Sequence, residues 1–202
     1  MTEPPAFVDL YWLPLGAGGH SVRMNGKAYE ACVSRLERRP RRDLYHSALV
    51  VGLPEGRFVV EQAPAGTEPR TDRGVVSTGA VGSPRLGRWR IFRYELRCWH
   101  EGVIPDVGEA VESPRRVTED EIVARRVVEH ARSVPAAVWG RDELETGEMW
   151  NSNSAIAWLL TRAGVEIDAV PLPAGGRAPG WDAGVVVARR ELDCTPDDRA
   201  DT

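Results

Sequence analysis

Three groups of residues have side chains suited to proton transfer or nucleophilic attack. The first is Tyr45-His46-Ser47-Ala48-Leu49-Val50-Val51, a histidine opening an otherwise apolar run. An unperturbed imidazole titrates near neutrality and is the usual general base. Strand alternation puts His46, Ala48 and Val50 on one face. The plainer alternative is a half-buried histidine bonded to a carbonyl. The second group is Val59-Val60-Glu61-Gln62, where a carboxylate and an amide follow an apolar pair. Either can accept from an imidazole N–H and hold its tautomer, or simply form the polar end of a strand. The third is Trp150-Asn151-Ser152-Asn153-Ser154, leading into Ala155-Ile156-Ala157-Trp158-Leu159-Leu160. A hydroxyl at a helix N-terminus benefits from the free N–H groups and partial positive charge there, and the same N–H groups can hold an oxyanion. Serine and asparagine are also the preferred N-caps. One cap needs only one such residue, however, and four stand here.

These groups need elements to position them. Phe7 to Leu15 has strand composition and ends at Pro14 and the glycines Gly16, Gly18 and Gly19. Lys27 to Arg39 has a helical stripe through Ala28, Ala31, Cys32 and Leu36 and stops at Pro40. Tyr45 to Leu53 and Arg57 to Ala63 form a hairpin around Pro54-Glu55-Gly56, which brings Glu61 or Gln62 toward His46. Gly74 to Val81 has the character of a third strand, inside a surface excursion from Ala65 to Arg88. Arg88 to His100 alternates as a half-buried strand, bent near Phe92. Thr118 and Glu121 have capping-box spacing before a helix through Ile122, Val123, Val127, Val128 and Ala131. Ala155 to Ala163 is a short apolar helix with Gly164 at its C′ position. Trp181-Asp182 falls in a turn, and Val185 to Ala188 is expected as a final buried strand. The expected fold is α+β, an antiparallel sheet packed against a few helices. Residues 1–192 make one domain, and 193–202 an acidic, disordered tail.

Composition removes several function classes. A net charge of −4 over 202 residues leaves no general basic footprint for nucleic acid. The arginines Arg35, Arg38, Arg39, Arg41 and Arg42 suit a helix C-terminus. Lys27 is the only lysine, an arginine bias typical of a GC-rich bacterial genome. Cys32, Cys98 and Cys194 lack zinc-site spacing, and His100 and His130 lack ligand partners, so no metal or other cofactor is expected. Gly16-Ala17-Gly18-Gly19-His20 lacks the spacing of a phosphate loop. No signal peptide and no membrane span are expected, which makes the cytoplasm the default compartment.

In chain order the pieces are a histidine-led hairpin, a polar residue on its second strand, and much later an Asn-nucleophile pair opening an apolar helix. That order resembles the circularly permuted papain-like proteins, which include the lecithin:retinol acyltransferase-like enzymes and the permuted cell-wall amidases. The family's helix begins with Asn-Cys and an aromatic or apolar run, and Asn153-Ser154-Ala155-Ile156-Ala157-Trp158 fits that place. The resemblance covers the hairpin and this one helix. It implies an acyl-transfer enzyme, a hydrolase or acyltransferase acting on an amide or ester of a small molecule or peptide. Ser154 would attack, His46 would be the base and Glu61 its orienter. Backbone N–H groups with Asn151 or Asn153 would hold the oxyanion, and Trp150 and Gln62 would contact substrate. Serine stands where the family has cysteine, and Cys98 lies outside the motif. Three readings follow: a serine nucleophile, an inactive relative that keeps the cleft for binding, or an engineered replacement of cysteine.

Overall fold

The computed structural model describes residues 6–15, 43–65 and 74–194. The expected helix from Lys27 to Arg39, the glycine segment 16–20 and residues 195–202 lie outside these. Six strands form one antiparallel sheet: β1 (Phe7–Pro14), β2 (Tyr45–Leu53), β3 (Gly56–Pro64), β4 (Val75–Ala80), β5 (Arg93–His100) and β6 (Val111–Thr118). Their order is β4-β5-β3-β2-β1-β6. Three α-helices are described: α1 (Glu121–His130), α2 (Ser152–Ala163) and α3 (Trp181–Asp193). The fold is therefore α+β, a sheet packed against helices. None of the described helices is long and apolar enough to cross a membrane.

Alternation along the strands separates two faces. Val8, Leu10 and Trp12 of β1, Leu49 and Val51 of β2, Val60 of β3 and Leu96 of β5 join the helices in the main core. Leu13, Ala48, Val50 and Val59 point the other way and pack with Ile104. α2 is buried nearly all round, because it lies against α1, α3 and the sheet. Gly164 ends it at φ 94°, a left-handed position that glycine adopts without strain.

Three local expectations need correction. Val185 to Ala188 is not a strand but the middle of α3, whose first turn also takes in Trp181 and Asp182, expected in a turn. A four-residue apolar run does not distinguish a buried strand from a buried helix segment. The face of α3 carrying Trp181, Val185 and Ala188 packs into the core beside α2. Second, the cap of α1 is Asp120, whose carboxylate accepts from Ile122 N and Val123 N, while Thr118 ends β6. Third, Arg88 to Phe92 is not strand: short 3₁₀ turns fill most of 84–92, and β5 begins at Arg93. β6 itself was not expected. Its Pro114 is tolerated because β6 is an edge strand and owes a backbone donor on one side only.

The β2/β3 ladder joins Leu49–Leu53 to Gly56–Val60 and stops there. β2 nevertheless continues to Tyr45 against β1, and β3 continues to Pro64 against β5. The two strands thus fork, with His46 and Ser47 on one arm and Glu61 and Gln62 on the other.

Candidate functional site

The polar run at the start of α2 enters the fork from the helix face. Asn151 is the N-cap: its Oδ1 accepts from Asn153 N at 2.8 Å and Ser154 N at 3.4 Å. Ser154 reciprocates, since its Oγ accepts from Asn151 N at 3.0 Å, which completes a capping box. The same hydroxyl donates to Gly180 O at 2.7 Å. The Nδ2 groups of Asn151 and Asn153 both donate to Pro179 O, at 2.8 and 2.9 Å. Asn153 Nδ2 also reaches Tyr45 O at 2.9 Å, and its Oδ1 accepts from Ser47 Oγ at 2.9 Å. Tyr45 N donates to Arg177 O at 2.8 Å, so the segment before α3 and the Asn153 amide replace the partner that β2 lacks beyond the fork. Glu148 closes the knot by accepting from Gly180 N at 2.9 Å. Burial raises its carboxyl above the usual range, and the Gly180 bond opposes that.

This explains why four polar residues stand where one cap would suffice. Asn151 caps, Ser154 returns the cap and holds Gly180, and Asn153 ties the helix to β2 and to the 177–180 segment. Gly180 has to be glycine twice over. Its φ is +82°, and a Cβ there would lie 2.6–2.7 Å from Met149 O, Asn151 Nδ2 and Ser154 Oγ. Gly184, one turn into α3, sits against the Ser154 carbonyl, which a Cβ would meet at 2.1 Å.

The expected catalytic set is not brought together. Tyr45 and Leu49 belong to the core on the helix face, and Ser47 bonds Asn153 there. His46 falls on the other face with Ala48 and Val50, away from Ser154. Its imidazole makes no hydrogen bond among the described residues. Burial pushes its pKa down to about 4, with Asp106 opposing, so the ring is neutral at pH 7. Ser154 is 0% exposed and its oxygen is occupied by backbone partners. Glu61 shares the face of His46 but accepts from Arg97 Nη1 at 2.8 Å. Arg97 also holds Glu95, which accepts from Arg90 at 2.9 Å. Glu61 therefore belongs to a buried ion-pair chain and does not orient the imidazole. Sequence spacing alone could not separate the faces, because one residue of register reverses them.

Gln62 is a different case. It lies on the helix face next to Val60 and opposite Leu96, is 3% exposed, and neither its Nε2 nor its Oε1 has a hydrogen-bond partner. Trp12 Nε1 and Trp150 Nε1, in the same core, are also buried without partners. Trp12 pairs with Ser47 across β1 and β2 and packs against Trp181, ring centroids 5.0 Å apart. Ser152, at the first helical position, is buried too, but its hydroxyl takes no part in the knot. Cys98 is no substitute nucleophile, because burial lifts its thiol to about 11. Among the described residues no group of three or more His, Cys, Asp and Glu could hold a metal ion. Sequence reasoning missed Ser47, Pro179, Gly180 and Glu148. Only Gly180, in a Pro-Gly step before an apolar run, carried a local signal. No family model, curated protein or solved structure matches the chain.

Proposed function

We propose that the chain is a binding module, taking a small polar molecule or a short peptide segment between the sheet and α2 without turnover at Ser154. The observation that carries this is the Gln62 amide, buried with donor and acceptor both unmatched. Such a group costs about 1–3 kcal/mol unless something satisfies it. The two unpaired indole N–H groups favour a ligand with acceptor atoms and at least one donor for Gln62 Oε1. The scaffold is read as papain-like and permuted, supported by a histidine-led hairpin that precedes the polar helix. The cytoplasm is its proposed compartment, with the thiols reduced. The test is a thermal-shift screen of amides, esters and short peptides, run beside an assay for product. A binder at a hundredfold excess over its Kd stabilises by about 2.7 kcal/mol. Gln62→Leu should abolish that shift while leaving the unliganded protein as stable or more so. A binder that works equally well on Gln62→Leu sinks the assignment.

One observation favours a second reading, acyl transfer through Ser152. Its hydroxyl is outside the knot and stands at a helix N-terminus, where free N–H groups can hold an oxyanion. A serine-directed fluorophosphonate should then label the protein. Labelling should be lost in Ser152→Ala and retained in folded Ser154→Ala. Wild-type protein that does not label ends this reading.

A further inference from the structure

Two connecting segments at opposite ends of β5 carry opposite charge. The link into β5, residues 84–93, holds Arg85, Arg88, Arg90 and Arg93 and no acidic residue. The link from β5 to β6, residues 101–112, holds Glu101, Asp106, Glu109 and Glu112 and no basic residue. Each also exposes large apolar side chains. Trp89 is 47% and Ile91 67% exposed on the basic link, and Val103 67% and Val107 43% on the acidic one. Arg88 stacks over the Trp89 ring at 3.8 Å, which holds the cation and the apolar surface together. Arg90 is engaged by Glu95, but Arg85, Arg88 and Arg93 make no ion pair among the described residues. On the acidic side Glu101 accepts from Arg57 N and Glu112 pairs with Arg115, while Asp106 and Glu109 are exposed and make no ion pair among the described residues.

The two segments cannot satisfy each other within one chain. β5 runs eight residues between them, roughly 27 Å of extended strand. Complementary patches that cannot meet internally can meet between copies. Because the two patches differ, the contact is head-to-tail rather than two-fold. We propose that this chain self-associates through the arginine–tryptophan link 84–93 of one copy docking on the acidic, valine-bearing link 101–112 of the next. Coulomb attraction steers the contact, and Trp89 and Ile91 bury against Val103 and Val107.

Sedimentation equilibrium or light scattering tests this. Wild-type mass should exceed the 22.3 kDa monomer, rise with concentration and fall as salt shortens the Debye length from about 10 Å at 0.1 M to about 3 Å at 1 M. Arg88→Glu with Ile91→Ser should be monomeric, and so should Val107→Ser with Glu109→Arg. Both changes are at solvent-accessible positions, and circular dichroism melts should match wild type; the single Arg88→Glu serves if the pair does not fold. An equimolar mixture of the two double variants, each keeping one intact patch, should give a one-to-one pair and nothing larger. A monomeric wild type across the concentration range overturns the proposal. So does a larger mass that neither variant changes, or a mixture that stays monomeric. Vesicles of phosphatidylserine and phosphatidylcholine provide the last arm. Monomeric protein that sediments with the anionic vesicles alone would make the basic link a lipid surface and overturn self-association.

Discussion

Ser154→Ala separates a structural hydroxyl from a chemical one. The substitution removes the hydroxyl's donor bond to Gly180 O at 2.7 Å, shared with a longer contact to Met149 O at 3.3 Å, and one accepted bond, from Asn151 N at 3.0 Å. Gly180 O keeps a second donor, Gly184 N at 3.3 Å, so its loss is limited. Asn151 N has no other hydrogen-bond partner among the described residues and sits at a residue 8% exposed. Two net hydrogen bonds contribute about 0.5–1.5 kcal/mol each, and an orphaned buried donor costs a further 1–3 kcal/mol or so, giving a total of about 2–6 kcal/mol. Urea unfolding should show a lower midpoint at unchanged slope, and Tm should fall by roughly 4–24 °C for a chain of this size. Ser152→Ala is the internal control: its hydroxyl holds nothing in the knot, so stability should stay within about 0.5 kcal/mol. A nucleophile that is not a fastener predicts the reverse for Ser154, with stability kept and activity lost. A Ser154→Ala loss below about 0.5 kcal/mol would refute the reasoning. Ser154→Cys should destabilise as well, because a sulfur cannot approach Gly180 O as closely as 2.7 Å. The site as built does not favour a cysteine at position 154.

Other outcomes follow from the same contacts. Gly184→Ala should cost about 1–3 kcal/mol or more, since its Cβ meets the Ser154 carbonyl at 2.1 Å and must push α3 from α2; equal denaturation midpoints would contradict that packing. Arg97→Met should destabilise by about 3–5 kcal/mol, because it leaves Glu61 and Glu95 buried without their shared guanidinium. Adding Glu61→Leu and Glu95→Leu should recover much of that loss, which a triple-variant melt checks. His46 is neutral in the fold, with its pKa lowered from 6.5 to about 4, whereas the unfolded chain takes up a proton near 6.5. The unfolded state therefore binds more protons between these values, and stability falls as pH drops from about 6.5 toward about 4. His46→Gln should flatten that limb, and NMR titration of the ring in wild type should show a midpoint well below 6.5.

What the sequence determined by itself was local. The hairpin is written in Pro54-Glu55-Gly56 between alternating runs, and β2 spans Tyr45 to Leu53 as the alternation requires. The helix after Ser154 is written in its apolar run and in Gly164, whose left-handed backbone closes it. The polar run was legible as unusual, since helix caps act within a turn of their own residues. What the run does depended on tertiary structure. Asn153 meets Ser47 across 106 positions and Pro179 across 26, and Ser154 meets Gly180 across 26. No period or propensity encodes such pairings. The same holds for Glu61, an equal candidate for His46 or any cation until the β3/β5 ladder set it opposite Arg97. Val185 to Ala188 became helix for a related reason: a short β-branched run suits either state, and burial against α2, through a glycine that lets the two backbones approach, decided it. Sequence chose the elements whose signals lie within a few residues. The faces, the partners and the fork between β2 and β3 came only when distant segments packed, because desolvation and hydrogen-bond matching are properties of the assembled interior.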